Sequence, residues 1–126
     1  MPEEDVRQYE VMARSTETFG RVLCNCRNHH FVVDGPVQNR CPGEAITPAE
    51  LFLAGIASCG VELLQVFARK QHFPLEAVHV GIRGDLDLSK PIHPDYSLFN
   101  SVSLTFHLKG LTDEQGAHLV ADFKRR

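Results

Sequence analysis

The feature that most constrains the fold is the segment PAELFLAGIASCGVELLQVFARK at residues 48–70, which predicts one long helix. Thr47 and Glu50 have the spacing of a capping box, in which each side chain bonds the backbone N–H of the other residue. Pro48 suits the first helical position because its missing N–H would be unpaired there. No other proline interrupts the segment, and its last two residues are basic, which suits the C-terminal end of a helix dipole.

Between Leu51 and Val61 every face of this helix is apolar or small, so the helix needs cover on all sides. One domain of this size covers one face well, and we therefore expect a second copy of the chain to cover the other face. The same run has no charged residue, and its 11 residues are fewer than the roughly 18–20 needed to cross a bilayer. This pattern predicts a homodimer that is not a membrane protein.

The rest of the chain alternates in the manner of strands and closes with a second helix. Three strands are predicted first, then an irregular loop that contains two prolines and two glycines, and after the long helix two more strands. Thr112 and Gln115 form another capping box at the start of the last helix. The predicted strands cover residues 6–14, 21–26, 29–34, 75–88 and 100–109, and the loop covers residues 35–46. The sequence thus predicts an α+β fold in the order β-β-β-α-β-β-α, as a single domain over residues 1–126.

Composition excludes several classes of protein. The chain has 126 residues, a formal net charge of -3 and a pI near 6.1, and its basic residues are scattered, so a nucleic-acid partner is not expected. The first ten residues lack the basic and apolar regions of a secretory signal. We therefore expect a cytoplasmic protein whose four cysteines are free thiols.

The segment CNCRNHH contains residue types that bind zinc, namely Cys24, Cys26, His29 and His30. Structural zinc sites usually have two or more residues between paired cysteines, whereas residues two apart on a strand only share a face. No second pair follows at a suitable distance, so no metal site is predicted. The histidines of VHVG and IHPDYS are interpreted as ordinary surface or core positions.

Two other cysteines have clearer surroundings. Cys41 lies in the proline- and glycine-containing loop, where we expect exposure without a specific function. Cys59 lies among Gly55, Ala57, Ser58 and Gly60, where a thiol packs well as a small apolar group. The same small neighbours permit a crevice beside the sulfur, but periodicity alone favours packing over chemistry for Cys59.

The stretch TPAELFLAGIASCGVELLQVFARK resembles the central helix of the OsmC/Ohr family of thiol-dependent hydroperoxide reductases. The resemblance extends over FVVDGP, FPLEAVHVGIRGDLD and LTDEQGAHLVADFKRR, and so over nearly the whole chain. It implies an α+β fold in which two subunits intertwine, with long helices packed against curved antiparallel sheets. The active sites would then lie at the subunit interface.

By this resemblance Cys59 matches the peroxidatic cysteine, whose thiolate attacks the O–O bond of an organic hydroperoxide and becomes a sulfenic acid. The implied role is defence against oxidative stress, with a thiol or dithiol as reductant and no cofactor. The second cysteine of the family usually lies just after the position of Arg126. By the resemblance, the sulfenic acid would be resolved by Cys41, by an external thiol or by a C-terminal cysteine of that kind.

The best-characterised branch of this family pairs its thiolate with an arginine from the early strands and a glutamate immediately after the helix proline. Here Ala49 holds that glutamate position, and we select Glu50, one residue later, as the candidate glutamate of the site. The candidate arginines are Arg14, Arg21, Arg27 and Arg40, of which we select Arg21. Glu62, one turn after Cys59, opposes a thiolate by its charge, so a cation is required. Without one, the alternative is a small-ligand-binding or redox-sensing module in which Cys59 only lines a crevice.

Overall fold

The computed structural model describes residues 6–90 and 99–125. The strands and helices follow the predicted order β-β-β-α-β-β-α, and the antiparallel sheets with two helices confirm the α+β class. The segment IHPDYS lies outside the described residues. The strands are β1 (Met12–Ser15), β2 (Arg21–Cys26), β3 (His29–Asp34), β4 (Ala77–Asp85) and β5 (Ser101–Lys109), and the helices are α1 (Pro48–Lys70) and α2 (Asp113–Lys124).

The chain divides into two compact units, Met1–Leu51 and Phe52–Arg126. In the first unit β1, β2 and β3 form an antiparallel sheet in that order. The turn between β2 and β3 consists of Arg27 and Asn28, whose φ angles of 51° and 87° are those of a two-residue type I′ hairpin. The prediction for the first strand was too long, because β1 pairs with β2 only over Met12–Ser15.

Both ends of α1 are closed by local hydrogen bonds. The Glu50 carboxylate accepts from the backbone N–H of Thr47 at 3.0 Å, and the Thr47 hydroxyl accepts from the backbone N–H of Glu50 at 3.3 Å, which confirms the capping box. At the other end His72 takes a left-handed conformation with φ of 58°. The Phe73 N–H then bonds the Ala68 carbonyl at 2.9 Å, in the manner of a Schellman motif.

The second unit contains a two-stranded antiparallel sheet and the main core. Strands β4 and β5 pair in register from Ala77 opposite Lys109 to Asp85 opposite Ser101. On both strands half-buried apolar residues alternate with exposed residues, as the sequence predicted. Leu64, Ala68 and Leu119 are fully or almost fully buried between the helices and this sheet. The partly buried side chains around them are Phe67, Phe73, Leu75, Val78, Phe106, Leu108, Leu111, Val120 and Phe123.

The N-terminal half of α1 keeps much of its apolar surface exposed. Phe52 remains 58% exposed although its ring stacks on Phe99 at a centroid distance of 5.9 Å. By length and composition alone α1 is also apolar enough to cross a membrane, a test that core helices of soluble proteins pass as well. The expectation that the chain is not a membrane protein therefore stays a prediction.

Candidate active site

Cys59 lies in the middle of α1, and its side chain is exposed. Its neighbour Gly60 is buried, and a methyl group built there would lie 3.6 Å from the Phe106 ring and 3.7 Å from Val80. The helix therefore packs against the sheet through Gly60 and presents Cys59 on another side. The packing interpretation, in which Cys59 fills a buried gap, is wrong for the chain by itself.

No hydrogen bond or ion pair reaches the Cys59 thiol from any residue within the described ranges 6–90 and 99–125. The nearest polar side chain along the helix, Ser58, donates instead to the carbonyl of Ala54 at 2.8 Å. Glu62 follows one turn later on the same side and is also exposed. The thiol is accessible to a bulky reagent, and the charge closest to it in sequence is negative.

Arg21, the selected cation, begins β2 and binds two carboxylates. Its Nε donates to Asp34 Oδ1 at 2.8 Å, and its Nη2 donates to Asp34 Oδ2 at 2.9 Å and to Glu44 Oε1 at 2.7 Å. The remaining guanidinium nitrogen, Nη1, has no hydrogen bond to the residues that the structure describes. One positive charge thus faces two negative charges, and Arg21 is tightly positioned but more than neutralised.

Asp34 is the centre of this cluster and is fully buried. Besides the guanidinium, it accepts from the backbone N–H groups of Ala45 at 2.8 Å and Glu44 at 3.0 Å. The hydrogen bonds from Arg21 and from the Ala45 N–H hold the pKa of the Asp34 carboxyl well below its usual range. The hydrogen bonds from Arg21 to Asp34 and, second, to Glu44 raise the pKa of Arg21 above its usual value. Asp34 therefore stays ionised and fixes both Arg21 and the loop before α1.

Glu50, the second selected residue, is committed to the start of α1. Its carboxylate accepts from both the backbone N–H and the hydroxyl of Thr47, at 3.0 and 2.9 Å. The bond from the Thr47 backbone N–H has the larger effect and the bond from the Thr47 hydroxyl the smaller, and both lower the pKa of Glu50. The capping carboxylate therefore stays ionised. The observed partners of Glu50 thus account for it as a capping residue.

Cys41 is less exposed than its loop position suggested. A methyl group built at Gly20 or Gly35 would lie only 2.4 or 2.5 Å from the Cys41 sulfur, so the thiol occupies a niche that only glycines leave open. The backbone supports the niche through a bond of 2.8 Å from the Gly35 N–H to the Gly20 carbonyl. The expectation of a freely exposed Cys41 was therefore wrong, because this half-buried thiol packs on two backbone segments.

The CNCRNHH residues follow the hairpin geometry. Cys26 and His29 are direct partners beside the turn, and Cys24, buried, lies opposite Phe31. Among residues 6–90 and 99–125, no group of three or more His, Cys, Asp or Glu side chains is arranged to hold a metal ion. In the described part of the chain these cysteines are strand residues.

Sequence reasoning missed the two carboxylates that hold Arg21. The signal was available, because in a hairpin with a two-residue turn, positions equally distant from the turn are partners. Arg21 and Asp34 are each six residues from the nearer turn residue, Arg27 or Asn28, and they do pair in the sheet. Glu44 had no such signal, since it lies in an irregular loop.

The fold and the exposed thiol define an α+β protein that presents one cysteine on an apolar central helix. The family model described as OsmC-like protein matches residues 41–126, which is more than half of the chain. The chain therefore belongs to the OsmC-like family. No curated protein sequence matches it.

Solved structures agree with this fold over nearly the whole chain. An OsmC-like protein from Mycoplasma pneumoniae matches with a TM-score of 0.80 at 13% identity, covering 95% of this chain and 82% of that chain. An organic hydroperoxide resistance protein OsmC from Legionella pneumophila gives 0.74 at 23% identity, with 95% and 84% covered. One from Elizabethkingia anophelis gives 0.77 at 16%, with 95% and 83% covered. At these identities the similarity establishes the fold.

Proposed function

We propose that this protein is a cysteine-dependent peroxidase that reduces organic hydroperoxides, with Cys59 as the nucleophile, and that it serves in defence against oxidative stress. The observation that carries the proposal is an exposed thiol in the middle of the apolar helix of an OsmC-like chain. Two similar structures belong to organic hydroperoxide resistance proteins, which supports the same chemistry. The apolar surroundings on α1 favour alkyl or lipid hydroperoxides over hydrogen peroxide.

The reaction consists of two balanced steps. The Cys59 thiolate attacks the terminal oxygen of the hydroperoxide, the O–O bond breaks, and the alkoxide leaves and takes up a proton to give the alcohol. Cys59 becomes a sulfenic acid. One reductant thiol condenses with it to a mixed disulfide and releases water, and a second thiol displaces Cys59 and leaves the reductant as a disulfide. Neither the oxidation of Cys59 nor its reduction needs a metal or an organic cofactor.

Arg21 is proposed as the cation that favours the thiolate, with Glu50 as a further polar residue of the site. The bidentate contact with Asp34 supports a positioned guanidinium, and Nη1 is left for another anion. The Glu44 side chain is largely exposed, so water can replace its ion pair with Arg21 and leave the guanidinium for another anion. An Arg21→Lys variant keeps the positive charge but loses the bidentate contact with Asp34. We expect this variant to reduce hydroperoxides more slowly than the wild type.

We further propose that the protein is a cytoplasmic homodimer in which a second copy covers the exposed side of α1. The exposed apolar residues at its N-terminal end, among them Phe52, support this assembly. Cys41, an external thiol or a C-terminal cysteine after Arg126 resolves the sulfenic acid, and an external thiol or dithiol serves as reductant. The single domain over residues 1–126 belongs to the same proposal.

The direct test is turnover of tert-butyl hydroperoxide with a dithiol by the wild type, Cys59→Ser and Cys41→Ser. We expect Cys59→Ser to abolish turnover, because no other thiol has the same exposed position on α1. Cys41→Ser is the matched control and should keep single-turnover oxidation of Cys59, visible as a trapped sulfenic acid by mass spectrometry. Turnover that survives in Cys59→Ser would refute the assignment.

A second candidate is a small-ligand-binding or redox-sensing module, and one observation favours it. Within the unit Phe52–Arg126 the Cys59 thiol has no cationic partner among the described residues, and Glu62 stands one turn away. A binding module predicts no turnover and a Cys59 that resists a stoichiometric organic peroxide. The mass of the protein after brief exposure to that peroxide separates the two candidates.

A further inference from the structure

Two histidines lie next to each other on the β4–β5 sheet, outside the candidate active site. His79 and His107 are direct partners in the antiparallel register, and their ring centroids are 5.6 Å apart with a tilt of 36° between the planes. Both side chains are exposed. Neither ring has a hydrogen bond or an ion pair with any residue in the described part of the chain.

The surroundings leave room for a ligand on this face. The next cross-strand pair is Gly81 with Thr105, and a methyl group built at Gly81 would meet no atom within 4 Å. On the other face of the same sheet, Val80 and Phe106 pack toward Gly60 of α1. The two rings therefore lie on the side of the sheet that faces away from α1.

We propose that His79 and His107 together bind one divalent late transition-metal ion, such as Ni²⁺, Zn²⁺ or Cu²⁺. Imidazole is a preferred ligand of these ions, and each unprotonated ring offers one nitrogen. Two nitrogens at about 2.0–2.1 Å from one ion, at a near-tetrahedral angle, place ring centroids about 5 Å apart. The observed separation of 5.6 Å is close to this value.

The strand pairing supplies the preorganisation that such a site needs. Direct cross-strand partners have Cβ atoms about 4.5–5.5 Å apart, so the second imidazole reaches the ion without any backbone movement. Water molecules in the open space beside Gly81 complete the coordination of the ion. The ion is therefore exchangeable rather than structural. Lys109, the next residue on the same face of β5, adds a positive charge that weakens binding.

The competing explanation is that the two rings are only a packing contact between aromatic groups. The two explanations differ in what happens when one histidine is removed. A bidentate site loses the second, intramolecular ligand, which corresponds to a loss in affinity of at least about tenfold. A packing contact leaves the affinity for metal ions unchanged.

The test is calorimetric titration of the full chain with NiCl₂ in a buffer that does not bind metal. We expect His79→Ala and His107→Ala to weaken the tightest site about tenfold or more, to a common value. His72→Ala is the matched control, since His72 is exposed and has no histidine opposite it among the described residues, and it should bind as the wild type does.

A second readout is the melting temperature, which Ni²⁺ should raise in the wild type and in Cys59→Ser but not in the two strand variants. Retention of the site in Cys59→Ser separates this proposal from the peroxidase proposal. Equal nickel affinity in the wild type, His79→Ala and His107→Ala would overturn the proposal. So would a wild type that binds no nickel.

Discussion

Arg21 and Asp34 are partners across β2 and β3, and the guanidinium binds the buried carboxylate through two hydrogen bonds of 2.8 and 2.9 Å. The same carboxylate accepts two backbone N–H groups from the loop that leads to α1. The buried carboxylate thus fastens the open end of the hairpin to the loop that leads to α1. This arrangement makes Asp34 a structural residue and Arg21 a positioned one.

The first prediction concerns the removal of the Asp34 charge. In Asp34→Asn the guanidinium loses its partner while both backbone donors lose a charged acceptor, so we expect the melting temperature to fall by roughly 10 °C or more. Asp85→Asn is the matched control, because the Arg83–Asp85 pair is exposed on both sides and contributes little. Thermal unfolding followed by circular dichroism gives both values. Similar small shifts for the two variants would contradict the role of Asp34.

The second prediction concerns acid, and its sign follows from the lowered pKa of Asp34. A carboxyl whose pKa is depressed by folding stabilises the protein fully above the pKa of the unfolded chain, about 4, and loses that contribution as the pH falls further. The stability difference between the wild type and Asp34→Asn should therefore be constant from pH 7 to about 5 and shrink below about pH 4. Urea unfolding at several pH values measures it. A difference independent of pH down to 3 would be the contrary result.

Much of the fold was predictable because its signals are local. The Thr47–Glu50 box and the Thr112–Gln115 box depend on residues three apart, and both occur as expected. The end of α1 was predicted from charge, but its left-handed residue is His72 rather than a glycine or asparagine. Histidine adopts this conformation more often than most residues but much less readily than glycine, so its signal in the sequence is weak.

The candidate site was harder to predict for a physical reason. Residues 51–61 are apolar or small on every face, so periodicity cannot tell which side of α1 meets the sheet. The structure resolves this through Gly60, which packs against Phe106 and leaves Cys59 exposed. The partners of Arg21 depend on the register of the hairpin and on an irregular loop, and only the register could be read from the sequence.

The third prediction compares two glycines whose surroundings differ. Gly60 is in a helix interior, and a methyl group there would make ordinary contacts of 3.6 and 3.7 Å, so Gly60→Ala should stabilise the protein by up to about 1 kcal/mol. Gly110 has φ of 97°, and a methyl group there would lie 2.5 Å from the Pro74 carbonyl oxygen. Gly110→Ala should therefore cost at least about 1–2 kcal/mol. Denaturant midpoints for both variants test the contrast, and destabilisation by Gly60→Ala would show that α1 packs more tightly on the sheet than these distances indicate.

The fourth prediction tests the proposed homodimer through Phe52, which is 58% exposed on α1. If a second copy covers this side of the helix, Phe52→Asp buries an unpaired carboxylate in an apolar interface, and the dimer should dissociate at micromolar concentration. The matched control is Val37→Asp, which places the same charge on an exposed apolar position of the turn Val37–Asn39, outside α1. Light scattering coupled to size-exclusion chromatography gives the mass of each variant. A monomeric wild type, or a Phe52→Asp dimer as stable as that of Val37→Asp, would rule out this face of α1 as the subunit interface.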